Sequence, residues 1–237
     1  MDETTAAQIA HLRLEAERPL LICDVDEVVL HFVRGFEAFL AEEGLWLDPR
    51  SYEFEGNVRR RSDGRIIDDA RLHDLLQHFF AARIGDLEPL EGASAALSRL
   101  CREWQVVMLT NLPHEHRAAR AANLERHGMG FPVITNSGPK GPAVRALAQA
   151  CAGPCVFIDD YTDFLDSARA HHPRVGLVHF LHDARFAPHA RPVSAPHVRA
   201  SHWEEAEGAI RNHLRHRAGR PAARTAAGHR MTRGENR

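Results

Sequence analysis

One residue type is nearly missing from these 237 residues: lysine occurs once, as Lys140, while arginine accounts for the other 29 basic side chains. Long apolar runs are missing too. No stretch approaches the ~20 residues needed to span a bilayer, and the start, Met1-Asp2-Glu3-Thr4-Thr5, lacks the basic-then-apolar order of a secretory leader. Cysteine is scarce. Cys151 and Cys155 have no second pair of ligands, so neither a structural zinc site nor a disulfide scaffold is expected, and Cys23, Cys101, Cys151 and Cys155 read as reduced thiols of a cytoplasmic protein. The 17 histidines show no metal-ligand spacing with one another and a carboxylate. A membrane partner is excluded on these grounds.

What is present is an ordinary globular composition, 44% hydrophobic and 26% charged. The length suits one large domain or a core with an insert. Charge is uneven: residues 211–237 hold 8 of the 30 basic residues and a single acid, Glu235. From 218 onward large apolar residues almost vanish, which predicts a disordered basic tail. That tail is the only feature pointing to nucleic acid, and such a partner is not expected. Oligomeric state is not encoded in any pattern here.

Five apolar runs read as strands: Leu20 to Cys23, Val106 to Leu109, Phe131 to Ile134, Cys155 to Ile158 and Val175 to Val178. Helical spacing fills the gaps at Glu115–His127, Gly141–Cys151, Asp163–His171 and Trp203–His216, after an amphipathic lead over Ile9–Glu17. This alternation predicts an α/β fold, a three-layer Rossmann-like parallel sheet. About eighty residues separate Asp26 from Thr110, too many for one crossover. With helical patterns at Phe36–Gly44 and Ala70–Phe80 and a polar, arginine-rich piece at Asn57–Arg65, this interval reads as a helical cap inserted after the first strand. The expected division is 1–32 and 100–217 for the core, 33–99 for the cap and 218–237 for the tail.

Every strand ends in a polar residue, at the edge where open α/β sheets place their ligands. Asp24 and Asp26 follow the first strand one residue apart, and like charges that close repel unless a cation lies between them. The pair looks built for a metal, and through it for a phosphate. Thr110-Asn111, Lys140 and Asp159-Asp160 with Asp163 end or follow later strands. Taken together, Asp24-Val25-Asp26-Glu27-Val28, Val107-Met108-Leu109-Thr110-Asn111, Gly138-Pro139-Lys140-Gly141 and Phe157-Ile158-Asp159-Asp160-Tyr161-Thr162-Asp163 resemble the four motifs of the haloacid dehalogenase (HAD) superfamily, its phosphatases in particular. The resemblance covers roughly residues 19 to 180.

The resemblance implies a magnesium-dependent phosphomonoester hydrolase acting on a small-molecule phosphate. Asp24 would attack phosphorus and form an aspartyl-phosphate, and Asp26 would carry the proton. Thr110 and Lys140 would complete the catalytic set and hold phosphate together with Asn111. Mg2+ would be held by Asp24, the Asp26 backbone carbonyl and Asp159. Asp160 and Asp163 would orient Lys140 and the metal's waters. Asp26 favours phosphate hydrolysis over dehalogenation, which needs no second aspartate as acid. Glu27 departs from the glycine common at this place. The run Val28 to Phe32 with Phe36 also resembles the deoxyribonucleotidases of the superfamily. On that likeness Phe32, Phe36 and Phe54 would stack on a base and the substrate would be a nucleoside monophosphate, with a sugar or organic acid phosphate as the alternative. A HAD-fold binding module without turnover is the competing class.

Overall fold

The computed structural model describes residues 1–218. The predicted basic tail therefore lies outside the described residues, apart from Ala218. In chain order the elements are α1 (Glu3–Ala10), β1 (Leu20–Cys23), α2 (Phe32–Glu42), β2 (Leu45–Leu47), β3 (Val58–Arg60), α3 (Asp69–Arg83), α4 (Ala93–Leu100), β4 (Gln105–Thr110), α5 (Arg117–Arg126), β5 (Val133–Thr135), α6 (Gly141–Gln149), β6 (Cys155–Asp159), α7 (Thr162–His171), β7 (Gly176–Phe180), β8 (Val198–Ala200) and α8 (Trp203–Ala218).

Six strands form one sheet in the order β5-β4-β1-β6-β7-β8, and every pairing is parallel. β1 lies between β4 and β6, with Leu20 opposite both Gln105 and Cys155. All four β1 residues are buried because helices cover both faces. Alternation then sorts the side chains. Leu20 and Ile22 join Leu147 of α6 and Leu165 of α7 on one face, while Leu21 and Cys23 join Leu97 of α4 and Ile210 of α8 on the other. This is the expected three-layer α/β sandwich. The chain leaves β1 toward β4 on one side and reaches β6 on the other, so the carboxyl end of β1 opens onto a topological switch point.

The insert departs from β1 and returns to β4 through a narrow neck. His31 N donates to Glu88 O and Leu90 N to Val29 O, both at 2.9 Å. Its helices α2 and α3 pack through Phe36, Phe39 and Phe79. The arginine-rich piece, read as part of a helical cap, contains β3, which pairs antiparallel with β2. Three-residue strands are too short to show a period. Helix α4, at the end of the interval, packs on α8.

Other boundaries shift for identifiable reasons. The amphipathic lead is not a helix over Ile9–Glu17. α1 lies earlier because Asp2 caps it, accepting from Thr5 N at 2.8 Å, and because Thr5 Oγ1 donates to Thr135 O at 2.9 Å. The third strand starts at Val133, after Pro132, which has no N–H to give a ladder. β8 has two exposed residues of three and left no apolar run to read. The four cysteines form no disulfide, and three of them are buried.

Candidate active site

β1 ends at Cys23, and Asp24 N continues its ladder by donating to Ile158 O at 3.0 Å. This fixes the Asp24 carboxylate at the carboxyl edge, beside the end of β6, where Asp159 emerges. Between them lies the only lysine. Lys140 Nζ is 2.6 Å from Asp24 Oδ1 and 2.8 Å from Asp159 Oδ2, and just 1% of the residue is exposed. Its ammonium sits 4.7 Å from the centroid of Phe164. Lys140 occupies the start of α6, with Pro142 in the first turn. Gly141 allows the fit: a Cβ there would lie 2.3 Å from Ser167 O and 2.6 Å from His171 Nδ1, so only glycine lets α6 press against α7.

Asp160 was expected to stand behind this group, orienting Lys140. Instead its carboxylate joins it. Oxygens of Asp24, Asp159 and Asp160 all lie within 4.8 Å of one another, and Tyr52 Oη, from the insert, donates to Asp160 Oδ2 at 2.9 Å. Three carboxylates face one ammonium, so the ionised cluster carries two surplus negative charges. Burial is the main cause pushing all three carboxyls above their ordinary range, with Asp24 raised to about 6 against the pull of Lys140. Burial alone would lower the Lys140 ammonium, but Asp159 and Asp24 outweigh it and hold it above its usual value. Hard oxygen donors with an unbalanced charge of −2 fit a divalent cation such as Mg2+.

Asp26 points elsewhere. Its carboxylate is outside the three-carboxylate group; Oδ1 accepts from Arg120 Nη2 at 2.6 Å, and Oδ2 is 3.4 Å from Thr110 Oγ1. Burial raises this carboxyl too, opposed by Arg120. Arg120 and Thr110 are both fully buried. Arg120 escaped sequence reading because Arg117-Ala118-Ala119-Arg120 looks like a solvated helix face; only the spacing to Leu124, one turn on, hints that it faces inward.

Glu27 is the one non-glycine residue with positive φ among the described residues, at 58°. Its Oε1 accepts from Val33 N at 2.7 Å in the first turn of α2, and its Oε2 lies 2.6 Å from His182 Nε2, after β7. Glu27 thus takes the turn that glycine would make easily, and its side chain clasps the insert to the sheet.

A cavity of about 500 Å³ opens over the group. Asp24, Asp26, Thr110, Asn111, Lys140, Asp160 and Phe32 all line it; Asp159 lies just beneath, with no exposed surface. Asn111 also staples two loops, accepting from Asn136 Nδ2 at 2.8 Å and donating to Gly138 O at 2.9 Å. Asp163 is not brought in. Thr162 and Leu165 face the sheet, which turns Asp163 outward, half-exposed and paired with Arg191. Phe54 lines the cavity, whereas Phe36 is wholly buried in the insert. Arg59 and Arg60 are held by Asp48 and Asp63, and Arg61 donates to Leu45 O; none of the three lines the cavity. Both tyrosines of the chain, Tyr52 and Tyr161, line it and were not anticipated.

No protein-family model matches the sequence, and no curated protein does. Solved structures match strongly. A HAD family hydrolase from Deinococcus radiodurans R1, with bound phosphate and sodium, superposes with a TM-score of 0.56 at 18% identity, covering 84% of this chain and 97% of its own. The HAD hydrolase YfnB from Bacillus subtilis, bound to magnesium, gives 0.56 at 14% identity over 82% and 98%. An L-2-haloacid dehalogenase from Xanthobacter autotrophicus, with chloropropionic acid covalently bound, gives 0.52 at 12% identity over 82% and 98%. The fold is that of the HAD hydrolases.

Proposed function

We propose that this HAD-fold protein is a magnesium-dependent phosphomonoester hydrolase that works through an aspartyl-phosphate on Asp24. The substrate would be a small phosphorylated metabolite, with a nucleoside monophosphate as the first candidate. The observation that carries the reading is the pair of separate environments given to Asp24 and Asp26: one carboxylate in a cation-seeking group, the other outside it against Arg120 and Thr110. Two carboxyls with different neighbours are suited to two roles.

Asp24, Asp159 and Asp160 would hold Mg2+ with the Asp26 carbonyl, and the bound ion would supply charge neutralisation for a phosphate. The relatives that bind phosphate and magnesium support this assignment. With a pKa near 6, Asp24 is mostly ionised at neutral pH and able to attack phosphorus in line. The bond from phosphorus to the leaving oxygen breaks as the Asp24–phosphorus bond forms. Asp26, its carboxyl raised by burial, gives a proton to that oxygen and then takes one from the water that hydrolyses the aspartyl-phosphate. Thr110 donates its hydroxyl to a phosphoryl oxygen. Lys140 balances the gathered negative charge as a compact ammonium. Asn111 keeps the Lys140 loop in place.

Residues 33–99 act as a cap over the core of 1–32 and 100–217 in this reading, except that α4, at the end of the interval, packs on α8 of the core. Thiols outside any disulfide, most of them buried, agree with a cytoplasmic location. The fold also hosts dehalogenases, and Asp26 separates the two activities. The test is hydrolysis of p-nitrophenyl phosphate with Mg2+, lost in Asp24→Asn. Absence of magnesium-dependent turnover by the wild type on this compound and on a broad panel of phosphorylated metabolites would leave a binding module as the better reading.

A further inference from the structure

The cavity has walls and a mouth that the phosphate chemistry does not use. One wall comes from the insert, where Phe32 lies 6.0 Å from both Phe54 and Phe80, centroid to centroid. A second aromatic group joins the insert to the sheet layer: Tyr161 is 6.3 Å from Tyr52 and 5.1 Å from Phe164. All six rings line the cavity, so a flat ring entering it meets aromatic side chains from both groups.

Charge at the same cavity is one-sided. Of the lining residues, Lys140 and His182 alone can be cationic, and both already face carboxylates, Asp24 with Asp159 and Glu27 respectively. Arg185, beside the lining residue Phe186, is held by Glu37 and Asp183. Acids are freer. Glu53 and Glu55 line the cavity from one turn and are exposed. The Glu53 carboxylate accepts the Tyr161 hydroxyl, at 2.7 Å, and neither it nor the Glu55 carboxylate pairs with a cation among the described residues. A carboxylate or second phosphate on the leaving alcohol would give up water here without gaining a cation. A neutral ring loses nothing by comparison, and a ring bearing an ammonium gains the glutamates and the aromatic faces together.

We propose that the cavity selects phosphomonoesters whose alcohol portion carries a flat aromatic ring, neutral or positively charged, and turns away alcohol portions that carry an anion. This rests on the phosphatase reading and narrows it. A nucleoside monophosphate belongs to the selected class; the phosphate of an organic acid does not.

A matched pair of probes tests it: 4-(2-aminoethyl)phenyl phosphate and 4-(2-carboxyethyl)phenyl phosphate, with the same ring, similar leaving phenols and opposite charge. With Mg2+, kcat/KM for the amine should exceed that for the acid by roughly tenfold or more, the sum of two exposed charge interactions. It should also exceed that for phosphoethanolamine, which lacks the ring. In the Glu53→Gln/Glu55→Gln double variant, which keeps an acceptor for Tyr161, the amine-to-acid ratio should fall severalfold. Equal turnover of the pair, or a ratio the double variant does not move, overturns the selection and leaves the phosphatase reading standing. If neither ester is turned over, calorimetric titration with tyramine and 3-(4-hydroxyphenyl)propionate decides. Tighter binding of tyramine, weakened in the double variant, supports the selection even as the phosphatase reading falls; equal binding overturns it.

Discussion

Arg120, a residue with no exposed surface, reaches from α5 to place Nη2 2.6 Å from Asp26 Oδ1. The contact ties the helix after β4 to the loop after β1, across the mouth of the switch point. Nε and Nη1 of Arg120 have no partner among the described residues, so the guanidinium is committed to this one carboxylate. Removing it takes from Asp26 its ion-pair partner and the shorter of its two side-chain hydrogen bonds. Arg120→Met should lose about 3 kcal/mol of stability, in the range for a broken buried pair, and, if Asp26 has the proton-transfer role proposed for it, kcat should fall by about 10–100-fold as its orientation is lost. KM should change much less. Denaturant titration and steady-state kinetics measure both; a variant with wild-type kcat would show that Asp26 needs no such partner.

Glu27 combines a strained backbone with two useful bonds, and substitutions separate the two. Glu27→Ala keeps the positive φ and loses both bonds, for a cost of about 3 kcal/mol. Glu27→Gly loses the same bonds but relieves the backbone, so it should be about 1 kcal/mol less damaging. Urea midpoints of the two variants give the comparison. Equal midpoints would mean that the turn carries no strain.

Asp160 gives a pH test with a definite sign. Its carboxyl is raised well above 3.8 by burial, and by Asp159 and Asp24 after that. The folded chain therefore binds this proton more tightly than the unfolded chain, and ionisation removes stability as pH climbs from 3.8 through the raised value. An amide at this position carries no such cost. In EDTA, Asp160→Asn should melt about 2–4 °C higher than the wild type at pH 8, for roughly 1 kcal/mol, and the gain should shrink toward pH 4. With Mg2+ the order should reverse at pH 8, because the wild type alone keeps the third carboxylate. A variant that melts lower than the wild type in EDTA at pH 8 contradicts the assignment.

Gly141 sits where a methyl group would meet the backbone oxygen of Ser167 at 2.3 Å. Gly141→Ala forces α6 away from α7 and carries Lys140 with it. A loss of about 1–3 kcal/mol is expected from overpacking, together with a drop in kcat larger than that of a distant variant of equal stability. Thermal melts paired with kinetics check this; full activity in a folded Gly141→Ala protein would detach Lys140 from the catalytic set.

Much of the sheet could be read from the chain because its strands are buried on both faces and stand out as unbroken apolar runs. β1, β4 and β6 are the clearest, and they carry Asp24, Thr110 and Asp159. The parts that could not be read depend on partners distant in sequence. Arg120 looks solvated until α5 is docked, and Tyr52 means nothing until the β2–β3 hairpin leans over Asp160. Asp163 misled for the opposite reason: its motif spacing is right, but the rotation of α7 turns it to solvent. Glu27 was visible as an anomaly, yet its meaning required the position of His182, 155 residues away.

The solitary lysine has a consequence for how the molecule meets proteases. A lysine-specific endoprotease has one bond to cut in this sequence, between Lys140 and Gly141, and that lysine is 1% exposed and pinned by two carboxylates. The folded chain hides its single cleavage point inside the lysine–carboxylate cluster. Scission after residue 140 therefore requires the α6 end of the site to open, and at protease concentrations where cleavage outpaces reclosing the rate at which one band becomes two is a clock for that opening.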